Sequence, residues 1–304
     1  MPVEIQSDKV VLRHPRGSSA EVLLYGATVI SWRCPTERNP EIAERLFVSG
    51  KAALDGSKPV RGGIPVIFPC FGPPTHPEHM KLSQHGFARS ESWSWDTIVS
   101  DDDKTVSARL TLGPTPGISE RFQRPFQLSF VVGLSEYGLS TDLHVKNTST
   151  STAFPPETLD FQALFHNYIR APASDVLVTP LQHLQYYDKT ESTEVGRATA
   201  KKEERAGVDV HKFTDSVYED ASQNYEVTWR GGGISIKAAN LKDVVVWNPQ
   251  EEAGSKIGDM EAGGWERYVC VEPGYVRGFV QLPPDHTWVG HQTLAVIQEE
   301  RRLT

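Results

Sequence analysis

Two ionisable side chains sit inside runs of apolar residues. His166 lies in Phe161-Gln162-Ala163-Leu164-Phe165-His166-Asn167-Tyr168-Ile169-Arg170, and Glu272 in Tyr268-Val269-Cys270-Val271-Glu272-Pro273-Gly274. A polar or charged group in such a run costs several kcal/mol unless it has a partner or a task. An imidazole and a carboxylate are also the side chains best suited to pass protons near neutral pH. Facing each other across one pocket, they would form an acid–base pair. Packed separately, they would be buried polar groups, with Arg61 or Arg277 as the natural partner of Glu272.

A second cluster of reactive types lies between Pro59 and Arg89. Arg61 precedes Gly62-Gly63 and an apolar run, and glycines let a backbone approach a ligand closely. A guanidinium binds phosphate or carboxylate with a two-pronged grip. Further on, Gln84-His85-Gly86-Phe87-Ala88-Arg89 puts an amide, an imidazole and a second guanidinium around one glycine. Gln84 can donate to and accept from sugar hydroxyls, and Arg89 could share an anion with Arg61. His85 is either a pocket residue or a packing histidine behind one.

The elements that must hold these groups read as strands. Short β-branched and aromatic runs alternate with Gly, Pro, Asn and Asp, the pattern of an all-β sandwich or barrel. Predicted strands include Val10–Arg13, Ala20–Tyr25, Ala27–Arg33, Trp93–Ser100, Thr105–Gly113, Gln127–Leu134, Gly138–Asn147, Leu159–Ile169, Ser174–Thr179, Tyr225–Arg230, Gly233–Ala238, Val244–Asn248, Tyr268–Glu272 and Trp288–Glu299. Along Gly138–Asn147 the alternation puts Leu139, Thr141, Leu143, Val145 and Asn147 on one face. Helix is sparse, with a turn or two predicted at Pro40–Arg45 and Val48–Leu54. Arg230-Gly231-Gly232-Gly233 reads as a tight hairpin turn. The charged stretch Asp188–Arg205 reads as a solvated hairpin or loop outside any site. No polar linker divides the chain, so residues 1–304 are expected to form one domain.

Composition narrows the function classes. The chain has 304 residues, 23% of them charged, and a formal net charge of −8. That charge argues against general nucleic-acid or anionic-membrane binding, so an anion site must be built locally. No apolar run has the length that spans a bilayer, and the start Met1-Pro2-Val3-Glu4-Ile5-Gln6 lacks signal-peptide character. Cys34, Cys70 and Cys270 are odd in number and lack metal-ligand spacing, which points to reduced thiols in a cytoplasmic protein. Nothing suggests an obligate interface, so a monomer is expected.

Six strings in order carry a resemblance: Tyr25-Gly26-Ala27-Thr28-Val29-Ile30-Ser31-Trp32, Val60-Arg61-Gly62-Gly63-Ile64-Pro65, Gln84-His85-Gly86-Phe87-Ala88-Arg89, Phe165-His166-Asn167-Tyr168, Val246-Trp247-Asn248-Pro249 and Val269-Cys270-Val271-Glu272-Pro273-Gly274. From about residue 20 to about residue 297 the chain resembles the glucose-6-phosphate 1-epimerases, or hexose-6-phosphate mutarotases, of the aldose 1-epimerase superfamily. The resemblance implies an all-β, galactose-mutarotase-like β-supersandwich. It implies metal-free and cofactor-free interconversion of the α and β anomers of D-glucose 6-phosphate or a related hexose 6-phosphate. It carries the catalytic roles onto His166 as acid and Glu272 as base, and substrate contacts onto Arg61, Gln84 and Arg89. A further contact falls on Asp215, in Thr214-Asp215-Ser216-Val217-Tyr218. His85, Asn167 and Trp247 would support or shape the pocket. Two rival readings are an aldose 1-epimerase of free sugars and a non-catalytic carbohydrate-binding β-sandwich.

Overall fold

The computed structural model describes residues 2–37, 39–150 and 157–297. Three antiparallel sheets make up the molecule: one of five strands and two of eight. Among the described residues the three α-helices span only four or five residues each. None of the helices is long and apolar enough to cross a membrane. One continuous buried apolar cluster joins all three sheets, from Val10 and Trp32 through Phe130 and Leu143 to Val246 and Val271.

Four neighbouring strands of one eight-stranded sheet position the site. They are β1 (Leu159–Phe165), β2 (Thr214–Tyr218), β3 (Asp243–Asn248) and β4 (Tyr268–Leu282). Their spatial order is β2-β3-β4-β1, so β4 is flanked on both sides. A pleated strand sends alternate side chains to opposite faces. Thr214, Ser216 and Tyr218, Val244 and Val246, Val269 and Val271, and Phe165 are all buried on one side. The intervening residues Asp215, Val245, Trp247 and Glu272 line a pocket on the other side, and His166 joins them just past the end of β1.

The predicted strands largely form, with ends that shift by a few residues. Gly138–Asn147 forms with its predicted inward face buried. The Arg230–Gly233 turn closes a hairpin in which Trp229 pairs with Gly232. The end of the Trp288–Glu299 prediction lies outside the described residues; Thr287–Val296 is strand. Three expectations need correction. Pro40–Arg45 is not helical: Ala43–Glu44 pairs with Arg33 and Cys34. The Glu44 carboxylate accepts from the backbone N–H groups of Trp32, Arg45 and Leu46, which holds that segment extended against its neighbour. Val48–Leu54 forms an isolated bridge to Gly62 and a turn instead of a helix. The strand predicted as Tyr268–Glu272 runs on to Leu282, straight through Pro273.

That passage through proline has a local cause. Val271 N–H bonds to Asn167 O, so Pro273, two residues on, faces the same side. There the neighbouring chain breaks between β1 and the short strand Tyr168–Arg170, and no regular ladder partner awaits the missing N–H. The break is braced from behind. Asn167 donates to Val271 O at 2.9 Å and exchanges two 2.8 Å hydrogen bonds with the Gln292 side chain of the other eight-stranded sheet.

Candidate active site

The pocket encloses about 260 Å³. That is just below the roughly 300–1,000 Å³ usual for ligand sites, a size suited to one small molecule. His166, Glu272, Arg61, Gln84, His85, Arg89, Asp215 and Trp247 all line it, so residues spread over two hundred positions converge. Asn167 does not line it; its side chain braces the strand break behind.

His166 Nδ1 and Glu272 Oε1 lie 3.3 Å apart. They are close but not aligned as a hydrogen bond, and His166 Nδ1 and Glu272 Oε2 are buried without a hydrogen-bond partner. Glu272 is 1% exposed, and neither arginine considered as its packing partner pairs with it. Arg61 is bonded to Asp259, and Arg277 to Glu219. Burial, reinforced by nearby Asp215, pushes the Glu272 carboxyl well above its usual range, while Arg89 pulls the other way. Burial, together with His85, Arg89 and Arg61, pushes the His166 imidazole well below its usual range. Both effects favour the uncharged form of each group.

Aromatic rings hold the imidazole in place. Tyr168 stacks on it with centroids 4.7 Å apart and planes 10° from parallel. Trp247 meets it edge-on at 5.9 Å. The Tyr168 hydroxyl accepts a 3.2 Å hydrogen bond from Arg61, which fixes that guanidinium beside the pocket. Arg61 also donates from Nε to Asp259 at 3.0 Å.

The second guanidinium is held differently. Arg89 lies on a short turn, Ala88–Ser90, and donates to Gln84 O at 3.1 Å. Its Nε is buried without a partner. No carboxylate pairs with it among the described residues. His85 accepts at Nδ1 from Gly72 N–H, so its ring proton is assigned to Nε2. Burial, then Arg89 and Arg61, push its pKa down to about 3, which keeps the ring neutral. His85 is therefore a pocket residue that can donate a hydrogen bond, not merely packing behind one.

Gly86 allows this loop to close on the sheet. It sits at φ +70°, and a Cβ there would meet Phe68 O at 2.2 Å. Gly86→Ala is expected to cost more than about 1 kcal/mol, since the backbone is incompatible with a side chain. A urea titration checks this: the midpoint should fall at unchanged slope, and an unchanged midpoint would contradict the packing described.

Asp215 faces Glu272 from β2. Burial raises its pKa to about 6, with Lys189 opposing. Lys189 belongs to the charged Asp188–Arg205 stretch, expected to lie outside the site. Residues Gln185–Asp188 and Ala200–Lys202 do form a hairpin, but Lys189 lines the pocket. Asp259 was likewise not singled out from sequence. A lone aspartate on a turn carries no local signal; only its contact with Arg61 marks it.

The family model described as "Aldose 1-epimerase" matches residues 8–295. A protein of Cenchrus ciliaris named "Putative glucose-6-phosphate 1-epimerase" is 30% identical over 298 residues, which is 95% of this chain and 85% of that one. A protein of the same name from Salmonella typhimurium is 26% identical over 296 residues, 95% of this chain and 90% of its own. Among solved structures, the "putative mutarotase (YeaD)" of Salmonella typhimurium superposes with a TM-score of 0.81 at 22% identity, over 98% of this chain and 93% of that one. A "galactose mutarotase related enzyme" from Lactobacillus acidophilus gives 0.72 at 14% identity, over 96% and 98%. At these identities the structures show the fold, a galactose-mutarotase-like β-supersandwich.

Proposed function

Because the chain belongs to the aldose 1-epimerase family, we propose that it interconverts the α and β anomers of a hexose 6-phosphate, D-glucose 6-phosphate first, by opening and reclosing the pyranose ring. The observation that carries the proposal is the 3.3 Å approach of His166 and Glu272 in a pocket that also holds two guanidiniums.

On this reading Glu272 takes the proton of the C1 hydroxyl while His166 gives a proton to the ring oxygen O5. The C1–O5 bond breaks and the C1 carbonyl forms. Rotation about C1–C2 presents the other carbonyl face, and the reverse transfers close the ring. Each proton transfer of this kind contributes roughly 10²–10⁴-fold.

One proton serves the pair. In the closed-ring state that reacts it sits on His166, and Glu272 is ionised. With the ring open, Glu272 has gained the C1 proton and His166 has lost its own, so both are neutral. The buried site favours this neutral state. It thus favours the open-chain intermediate over the reacting closed-ring ion pair, and a closed-ring complex with both groups neutral must first pass a proton from Glu272 to His166. The phosphate supports the charged state when it is needed. A dianion seated against Arg61 and Arg89 cancels the repulsion those cations exert on a protonated His166. It also fixes the remote end of the sugar so that C1 and O5 lie between acid and base. Asp215 and Gln84 then serve the hydroxyls, and neutral His85 donates to a sugar oxygen. Three free, buried cysteines support a reducing, cytoplasmic setting.

Polarimetry with freshly dissolved α-D-glucose 6-phosphate and α-D-glucose tests the substrate. Charge-assisted hydrogen bonds are worth about 1.5–3 kcal/mol each. Two guanidiniums should therefore favour the phosphorylated sugar by at least about 100-fold in kcat/KM. Equal or faster turnover of glucose would make the protein a free-sugar epimerase. Acceleration of neither would leave only a sugar-binding sandwich.

A further inference from the structure

We propose that His166, Cys270 and Glu272 together bind a soft divalent cation of the zinc type, and that the bound cation blocks the acid–base pair. The cation site stands on geometry alone; its inhibitory effect rests on the catalytic reading above.

One ligand atom from each residue lies within 4.8 Å of the others, and all three residues are buried. Tetrahedral zinc with bonds of about 2.0–2.3 Å requires ligand atoms roughly 3.3–3.8 Å apart. The His166–Glu272 separation of 3.3 Å already fits, and modest side-chain rotation brings in the thiol. Thiolate, imidazole and carboxylate are the ligand types this ion takes. Cys270 and Glu272 alternate onto the same face of β4, and Tyr168, beside His166, pairs in register with Cys270. His166 and Glu272 line the pocket, so the fourth coordination position of a cation held by the three would face it.

Two further observations point to a ligand. Glu272 Oε2 and His166 Nδ1 are buried polar atoms without hydrogen-bond partners. Charge balance also permits the exchange. A divalent cation held by one thiolate and one carboxylate is neutral, as are the thiol and carboxylic acid whose two protons it displaces. Two protons leave as one cation enters, so the net charge of the buried site is unchanged. Arg61 and Arg89 repel the cation and Asp215 attracts it, which limits affinity without abolishing the site. Once bound, the cation occupies the lone pairs that Glu272 and His166 need for proton transfer.

Titration of the purified protein with cobalt(II), followed by absorption, reads the site without any activity assay. A saturable complex of one cobalt per chain should show a thiolate-to-cobalt charge-transfer band, bleached by zinc. Cys270→Ser should lose the band and weaken zinc binding by at least the roughly 10–100-fold that loss of an outer partner costs at metal sites. In the presence of chelator its anomerisation rate should match the wild type, and inhibition should need zinc concentrations higher by the same factor. The double variant Cys34→Ser, Cys70→Ser should keep the band, which assigns the thiolate even if Cys270→Ser fails to fold. Absence of saturable binding, a cobalt spectrum without sulfur character, or a band that survives Cys270→Ser would overturn the proposal. An intact cobalt band in a protein that anomerises no sugar would instead count against the catalytic reading.

Discussion

Glu272→Gln should lower kcat for glucose 6-phosphate anomerisation by roughly 10²–10⁴-fold and leave the fold intact. The amide has the shape of the carboxylate but cannot accept the C1 proton. Stability should hold or rise, because the wild-type carboxyl is 1% exposed and has no cation paired with it. The sign with pH follows from the raised carboxyl pKa. Folding is helped fully below the ordinary carboxylate range, and that help is lost as pH rises through the raised folded value. The melting temperature of Glu272→Gln relative to wild type should therefore be higher at pH 8 than at pH 4. His166→Ala should lose kcat by a similar factor, because the proposed mechanism gives O5 its proton from that imidazole. Polarimetry and thermal melts check both variants. Turnover within a few-fold of wild type in either would remove that residue from the pair.

Removing the anion grip should have the next largest effect, and Arg89 should outweigh Arg61. Arg89 has a buried Nε without a partner, and among the described residues its one hydrogen bond is to a backbone carbonyl. Burial depresses its pKa, the signature of a cation short of counter-charge. Arg61, by contrast, is already bonded to Asp259 and to the Tyr168 hydroxyl. A phosphate thus relieves Arg89 and must share Arg61. Loss of a hydrogen bond to a charged group costs about 1.5–3 kcal/mol. Arg89→Ala should accordingly raise KM for glucose 6-phosphate roughly 10–150-fold, with Arg61→Ala toward the lower end. Turnover of free glucose should change little in either variant. Steady-state kinetics on both sugars decides it: an equal loss on glucose and glucose 6-phosphate would deny the arginines a phosphate role.

Much of this site was legible before any coordinates. His166 and Glu272 announced themselves as ionisable residues in apolar runs, and strand alternation accounts for their sharing one face of the sheet. The loop from Gln84 to Arg89 was marked by its glycine and its cluster of side-chain types. What escaped depends on contacts distant in sequence. Asp259 matters only because Arg61 reaches it across 198 positions. Lys189 sits in a charged stretch whose composition speaks of solvent, yet it comes directly after Gln185–Asp188, whose end pairs with β2 and leaves it at the pocket edge. Pro273 read as a strand end, although the interruption opposite, at His166-Asn167, frees it from any ladder duty. The same interruption sets the imidazole beside the carboxylate.

Exchange spectroscopy on the anomeric protons of glucose 6-phosphate in D₂O, with catalytic amounts of wild-type protein, tests the central claim most directly. The account predicts rapid exchange between the α and β resonances, abolished by Glu272→Gln, with no deuterium entering at C2. Exchange no faster than in buffer, or deuterium appearing at C2, would contradict it.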